Sequence, residues 1–307
     1  MNIKIGTRGS KLALAQANYV LDTLKERFPE NDYEIVVIKT TGDLDQTRAL
    51  DAIGTKGIFT EEIEQALLND EIQLAVHSMK DMPDSIKEGL IFADPWNRED
   101  ARDVLILNPI NGKKVNSLGE VPKGANIATG SKRRSYQLLA LRPDINVFPI
   151  RGNIDTRIRK LREGLEDGTH LDGIVIAAAG IKRIGRADEI SAYFDVDDMI
   201  PAPAQGTLAI ELKGDNKDLL DMVNSFSDDT IKNITFLERG FLKKIGGDCH
   251  LPIGAYATAT SEGYELRALF GTEDGSKLAS TKVTAVDATE DLIDRAVSDI
   301  RRQLEDK

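Results

Sequence analysis

The sequence predicts an α/β protein whose last third is a separate, smaller α+β domain. From residue 2 to residue 211, short apolar strands alternate with amphipathic helical segments, the pattern of parallel sheets joined by right-handed crossovers. From about Asp218 the pattern changes to two helices, three alternating strands and a closing helix. A chain of 307 residues, 41% hydrophobic and 30% charged, is long enough for two or three domains with their own cores.

The elements follow in order. Asn2 to Ile5 is a strand entering Gly6-Thr7-Arg8-Gly9-Ser10. Ser10 caps a helix to about Arg27, with Leu12, Ala15, Tyr19 and Leu24 on one face. A strand at 34–39 precedes the polar, glycine-containing segment Thr40 to Gly57, expected to be a long mobile loop beside a site. Thr60 is placed as the cap of a helix with Glu61 and Glu62 in its first turn. A strand at 73–76 leads into His77-Ser78-Met79-Lys80-Asp81-Met82-Pro83. Strands follow at 104–107, 126–129, 146–150 and 173–177, with helices at 131–142, 154–166 and through Arg183. Pro201-Ala202-Pro203-Ala204-Gln205-Gly206 punctuates the chain before a strand at 207–211. Helices at 218–224 and 230–243 lead to Gly246-Gly247-Asp248-Cys249-His250. Strands at 253–259, 264–270 and 279–285 and a helix at 289–304 complete it.

Charge distribution points to an anionic ligand. Between 131 and 162 there are nine Lys or Arg against two Asp, a local excess of seven positive charges in a chain of net charge -11. Ser131 starts a helix directly after a strand, and a helix N-terminus favours anions through its free N–H groups and dipole. Two arginines in that first turn call for a bound anion, unless the stretch is a solvated basic face with Ser131 as a plain cap. In parallel sheets ligands sit beyond the carboxyl ends of strands. The loops at Arg8, Asp81, Ser131, Arg151 and 177–183 hold that position, which would gather Arg8, Arg133, Arg134, Arg151, Arg157 and Arg183 about one ligand.

Composition excludes several classes. There is no apolar run of membrane-span length, no signal-peptide core, one cysteine and three scattered histidines. Membrane insertion, disulfides and a metal cluster are therefore not expected, and a cytoplasmic location is. The acidic balance argues against a nucleic-acid protein. Asp81 fits either a cleft carboxylate that moves a proton or stabilises positive charge, or a turn residue before Pro83. Cys249, after two glycines, fits either an attachment point for a covalent group or a buried filler. His77 reads as a structural strand-end residue. The loops carry no GxGxxG or Walker lysine pattern.

In combination these stretches resemble one family. Gly6 to Ser10, Leu12-Ala13-Leu14-Ala15-Gln16, Gly54-Thr55-Lys56-Gly57-Ile58-Phe59 and Ala75 to Pro83 are similar to hydroxymethylbilane synthase, also called porphobilinogen deaminase. Arg98-Glu99-Asp100, Thr129 to Arg134, Arg151-Gly152-Asn153, Thr156-Arg157 and Ala179 to Arg183 continue the match in order. Pro203 to Gly206 and Cys249-His250-Leu251-Pro252-Ile253-Gly254 complete it across nearly the whole chain.

The resemblance implies two α/β domains like those of periplasmic binding proteins plus the small C-terminal domain. Residues 1–98 with 200–217 would form the first domain, 99–199 the second and 218–307 the third. It also implies a transferase of haem and porphyrin biosynthesis that condenses four porphobilinogen molecules on a dipyrromethane cofactor thioether-linked to Cys249. Lys80, Asp81, Thr129, Ser131, Arg133, Arg134 and Gly152 would hold the cofactor. Arg8, Ser10, Gln16, Arg151, Arg157, Arg183 and Gln205 would hold porphobilinogen and the growing oligopyrrole chain, with Lys56 and Phe59 on a lid. Acetate and propionate groups on each pyrrole account for the arginine excess through charge-assisted pairs. Asp81 would assist loss of ammonia and stabilise the azafulvene cation. A monomer without metal, membrane or nucleic-acid partner is implied. Two residues depart from the family pattern. Asp248 stands beside the cysteine, where its charge would raise the thiol pKa. Asp155 stands where glycine is common and could pair with a neighbouring arginine. The rival reading is a non-catalytic two-lobed carboxylate-binding protein; an RNA binder lacks an aromatic stacking motif.

Overall fold

The structure, a computed structural model, describes residues 1–40, 60–83, 86–109, 112, 113, 115–246 and 251–305. Lys56, Phe59, Asp248 and Cys249 lie outside the described residues. The chain divides into two compact units, 1–98 with 207–233 and 99–206 with 234–307. In chain order the strands are β1 (Asn2–Thr7), β2 (Asp32–Val37), β3 (Leu74–Ser78) and β4 (Leu90–Phe92), then β5 (Asp103–Leu107), β6 (Asn126–Ala128), β7 (Asn146–Phe148), β8 (Gly173–Ala177) and β9 (Ala192–Tyr193). The strands β10 (Leu208–Lys213), β11 (Gly254–Thr260), β12 (Gly263–Gly271) and β13 (Leu278–Ala285) follow. The described helices are α1 (Lys11–Arg27), α2 (Glu61–Leu68), α3 (Lys132–Leu141), α4 (Ile154–Glu163), α5 (Ala178–Arg183), α6 (Lys217–Asn224), α7 (Asp229–Ile245) and α8 (Glu290–Glu305).

The first unit is built on a sheet of order β2-β1-β3-β10-β4. β1 runs parallel to β2 and β3, whereas β10 is antiparallel to both its neighbours. The second unit repeats the plan in the order β7-β6-β8-β5-β9: β6 is parallel to β7 and β8, and β5 is antiparallel to β8 and β9. The sheets are therefore mixed rather than wholly parallel. Each antiparallel strand is the first sheet strand of its unit after the chain has come from the other, so no crossover helix from a neighbouring strand fixes its direction.

Alternation along the strands splits each core into two layers. Ile3 and Ile5 of β1 pack with Val20 and Leu24 of α1 and with Leu219 and Val223 of α6. On the opposite face, Ala75 joins Ile63 and Leu67 of α2. Helix α6, expected to begin the third domain, thus buries its apolar side in the first unit. In β5, Val104 and Ile106 face Ile158 and Leu161 of α4, while Leu105 and Leu107 face Leu138 of α3. A strand covered on both faces reads as a continuous apolar run.

The C-terminal part of the second unit is the α+β element the sequence predicts. The antiparallel sheet β11-β12-β13 packs Ala257, Leu266 and Ala268 against Phe241 of α7 and Leu292, Ala296 and Ile300 of α8. Burying Phe241 alone contributes about 2–3 kcal/mol. Gly240 lets these helices approach, because a Cβ there would lie 2.4 Å from Cδ1 of Ile293. No helix among the described residues is long and apolar enough to cross a membrane.

Candidate active site

In the first unit, β1 delivers Thr7 to Ser10 to the start of α1. The Ser10 hydroxyl accepts from the Ala13 N–H at 3.2 Å, the expected cap, and buried Thr7 donates its hydroxyl to the Ala13 carbonyl at 3.1 Å. Gln16, one and a half turns on, donates from Nε2 to the Ser78 hydroxyl at 2.9 Å. That bond ties α1 to the end of β3, from which the chain enters a single 3-10 turn, Met79–Asp81. The Met79 N–H is held by the Thr207 carbonyl at 3.0 Å. Met79 and Met82 are buried, Lys80 is half-buried, and Asp81 is exposed. Asp81 is thus exposed on a turn anchored by the buried Met79 and Met82. His77 is structural in kind, buried with Nε2 3.2 Å from Glu211 Oε2 across the β3–β10 pair. Thr60 does precede α2, but its hydroxyl makes no cap bond; it is buried and has no hydrogen-bond partner among the described residues.

In the second unit, β6 delivers Thr129-Gly130-Ser131 to the start of α3, the position corresponding to Thr7–Ser10. The Ser131 hydroxyl accepts from the Arg134 N–H at 3.5 Å, a long cap bond. Gly130 cannot carry a side chain, because a Cβ would sit 2.7 Å from the Ile150 carbonyl oxygen and 3.9 Å from Nη2 of Arg157. That close approach brings the loops after β6 and β7 together with Arg157. Gly152, at φ +108, would place a Cβ 2.6 Å from Cγ2 of Thr156. Asn153 caps α4 by accepting from the Thr156 N–H at 2.9 Å, and Arg157 Nε donates to the Gly152 carbonyl at 2.8 Å. Arg151 is exposed, while Arg183 on α5 donates to the Gly206 carbonyl at 2.7 Å.

Arg133 and Arg134 are the surprise. They are only 3% and 6% exposed, and both pair with Asp103, which is wholly buried at the head of β5. Gln205, expected to touch substrate, is also buried and donates from Nε2 to Asp103 at 2.8 Å and to the Ala101 carbonyl at 2.7 Å. Burial pushes the Asp103 carboxyl up, but the two guanidinium charges outweigh it and hold the group well below the usual carboxylate range. Burial, followed by the Arg134 charge, lowers Arg133 against the raising effect of Asp103. The anion demanded by two arginines at a helix start is thus, in the first instance, supplied by the chain itself. Sequence reading missed Asp103; the signal was a charge directly preceding the apolar run Val104–Leu107. Asp155 pairs with Arg186 Nη1 at 2.7 Å, which fixes the arginine partner that the sequence left open.

Thr7 to Ser10 and Thr129 to Ser131 thus occupy corresponding strand-to-helix turns in the two units, while Gln16, Arg157 and Arg183 lie on helices and Gln205 precedes β10. A model of the porphobilinogen deaminase dipyrromethane cofactor binding domain matches residues 3–221, and the C-terminal domain of the same family matches 234–298. The chain belongs to the porphobilinogen deaminase family. A porphobilinogen deaminase of Lachnospira eligens is 52% identical over 290 residues, covering 94% of this chain and 95% of the relative. That of Clostridioides difficile is 49% identical over 278 residues, covering 91% and 89%. A solved substrate binding protein of an amino acid ABC transporter aligns at TM-score 0.40 and 15% identity over 76% of this chain and 93% of its own.

The second unit's residues fit a carboxylated pyrrole cofactor. Thr129 is 2% exposed, and its hydroxyl has no hydrogen-bond partner among the described residues. Such an orphan costs about 1–3 kcal/mol unless a ligand satisfies it. It stands at a helix start beside Gly130 and Arg157, where free N–H groups and positive charge favour a carboxylate.

Proposed function

We propose that this transferase condenses four porphobilinogen molecules, losing one ammonia at each addition, on a dipyrromethane held through Cys249, and then releases the linear tetrapyrrole hydroxymethylbilane to water. The orphaned Thr129 hydroxyl at the start of α3, in a chain of this family, is the observation that carries the reading. When bound, the dipyrromethane supplies the pyrrole from which the chain grows. Thr129, Ser131, Arg133, Arg134 and the backbone at Gly152 hold its carboxylates, with Lys80 and Asp81 as further contacts. Arg8, Ser10, Gln16, Arg151, Arg157 and Arg183 take the acetate and propionate groups of substrate and product chain, and Lys56 and Phe59 belong to the lid; Gln205, buried with its amide bonded to Asp103, Ala101 and Arg134, braces the arginines rather than touching substrate. The protein works as a cytoplasmic monomer; sedimentation of the purified chain checks the oligomeric part.

Asp81 has the properties the chemistry requires. As the aminomethyl C–N bond breaks, its electron pair leaves with nitrogen and positive charge develops on the pyrrole. A carboxylate on a short, braced turn stabilises that charge and accepts a proton without first reorganising.

The experiment is the intact mass of wild type and Cys249→Ala, with ammonia release from porphobilinogen measured beside it. Wild type should carry two linked pyrrole units that the variant lacks, and only wild type should release ammonia. Unmodified wild type that stays unmodified after incubation with porphobilinogen returns the chain to the carboxylate-binding reading.

A further inference from the structure

Two guanidinium groups buried side by side repel each other, and the dipole at a helix start adds to the cost. At α3 the chain meets that cost with one side chain from another segment. Asp103 Oδ2 accepts from Arg133 Nη1 at 2.7 Å, while Oδ1 accepts from Arg134 Nε at 2.9 Å and from Gln205 Nε2 at 2.8 Å. Gln205 closes the ring, since its amide oxygen accepts from Arg134 Nη2 at 3.3 Å. Two backbone carbonyls fix the outer edges: Ile200 accepts from Arg133 Nη1 at 2.6 Å and Val175 from Arg134 Nη1 at 3.5 Å. Both oxygens of Asp103 are therefore committed, and its donors come from α3 and from the Pro201–Gly206 segment.

We propose that Asp103 is a positioning residue for the cofactor arginines: it preassembles Arg133 and Arg134 as a fixed pair with one net positive charge before any pyrrole carboxylate arrives. This rests on the assignment of those arginines to cofactor binding. An aliphatic residue at the head of β5 would be cheaper to desolvate, but it would leave two buried cations facing each other. With Asp103 in place the cations are oriented beforehand, so a ligand carboxylate meets formed donors and none of its binding energy is lost to ordering two long side chains.

The test follows cofactor acquisition directly. Full-length apoprotein, produced without a porphobilinogen supply, is incubated with porphobilinogen and its intact mass recorded over time. Asp103→Asn keeps the shape and removes the charge. It should gain the two-pyrrole mass about a hundredfold more slowly than wild type, the scale of breaking a buried pair. Asp103→Ala should recover part of that rate when formate is added, which a filler role would not produce. Gln205→Met leaves the Asp103 charge in place but removes one of its holds and unpairs buried partners of the amide; it should load about tenfold more slowly when assayed well below its own, somewhat lowered, melting temperature. If Asp103→Asn does not fold, the Gln205→Met rate decides. Wild-type loading in either folded variant overturns the proposal. A wild type that itself gains no mass overturns the cofactor assignment and the proposal with it, whereas loading by wild type and variant alike removes this proposal alone.

Discussion

Replacing Gly206 by alanine tests whether packing around the Pro201–Gly206 segment sets the position of Arg183, the arginine proposed to bind substrate. Gly206 has φ +92, and an added Cβ would lie 2.2 Å from the Glu99 carbonyl oxygen and 3.1 Å from its carbon. The left-handed backbone alone costs a non-glycine residue about 1–2 kcal/mol. The overlap is with main chain, which cannot rotate away, so relief requires a backbone shift worth about 1–3 kcal/mol more. At about 2–4 °C per kcal/mol for a chain of this size class, the melting temperature should fall by about 4–20 °C. The same shift moves the Gly206 carbonyl, which accepts from both Arg183 Nη2 and the Glu99 N–H. KM for porphobilinogen should therefore rise about tenfold in protein whose mass shows full cofactor loading. Gly124→Ala is the control: its φ is +75, but nothing lies within 4 Å of the added Cβ. It should cost only the conformational part, about 1 kcal/mol, and leave KM unchanged. The two variants are compared by differential scanning calorimetry and steady-state kinetics. Equal melting temperatures for Gly206→Ala and Gly124→Ala would refute the reasoning.

Asp81→Asn should lower turnover about 10²–10⁴-fold while the cofactor mass remains, measured as ammonia release by protein already loaded. Acid stability should report Asp103. Its folded-state pKa lies below the unfolded value, so its contribution is fully present above about pH 4 and is lost as pH falls further. The melting-temperature gap between wild type and Asp103→Asn should accordingly be constant from pH 5 to 7 and narrow below about pH 4; a gap that widens in acid contradicts the assigned charge state. Glu238 is buried and accepts from the Ala204 and Ala257 N–H groups at 2.6 and 2.7 Å. Glu238→Gln should cost about 1–3 kcal/mol in thermal unfolding, because an amide NH2 cannot accept and leaves one of those buried N–H groups unpaired. Asp155→Asn should cost under about 1 kcal/mol by the same measurement, because the pair with Arg186 is partly solvent-exposed.

Most of the fold was legible because its signals are local. Ser10, Ser131 and Asn153 precede helices as the sequence required, and strands such as Val104–Leu107 and Gly173–Ala177 announce themselves as apolar runs. Strand direction was not legible. β5 and β10 look like the parallel strands beside them, and their antiparallel setting comes from the route of the chain rather than from their own residues. At the site, sequence order found the arginine-bearing loops but could not find the counter-charge. Asp103 is 30 residues from Arg133 and Gln205 is 71 from Arg134, so no spacing rule connects them. The same limit applies to Thr60, whose residue type suits a cap but whose hydroxyl makes no such bond.

The common plan of the two sheets sharpens one physical contrast. Both units place a buried threonine, a glycine and a capping serine between the first parallel strand and its helix: Thr7, Gly9 and Ser10 in one, Thr129, Gly130 and Ser131 in the other. In the first unit the threonine hydroxyl is spent on the Ala13 carbonyl, and the helix that follows has no arginine in its first turn. In the second the hydroxyl has no partner among the described residues, and the helix opens on Lys132-Arg133-Arg134. One loop is satisfied by its own helix; the other keeps an open polar atom beside fixed positive charge. A resident anionic group therefore gains more at the second loop, where it relieves an existing desolvation penalty as well as forming new bonds. The proposed role of Arg151 with an exchanging substrate suits a residue that is exposed, where an ion pair is screened and readily released.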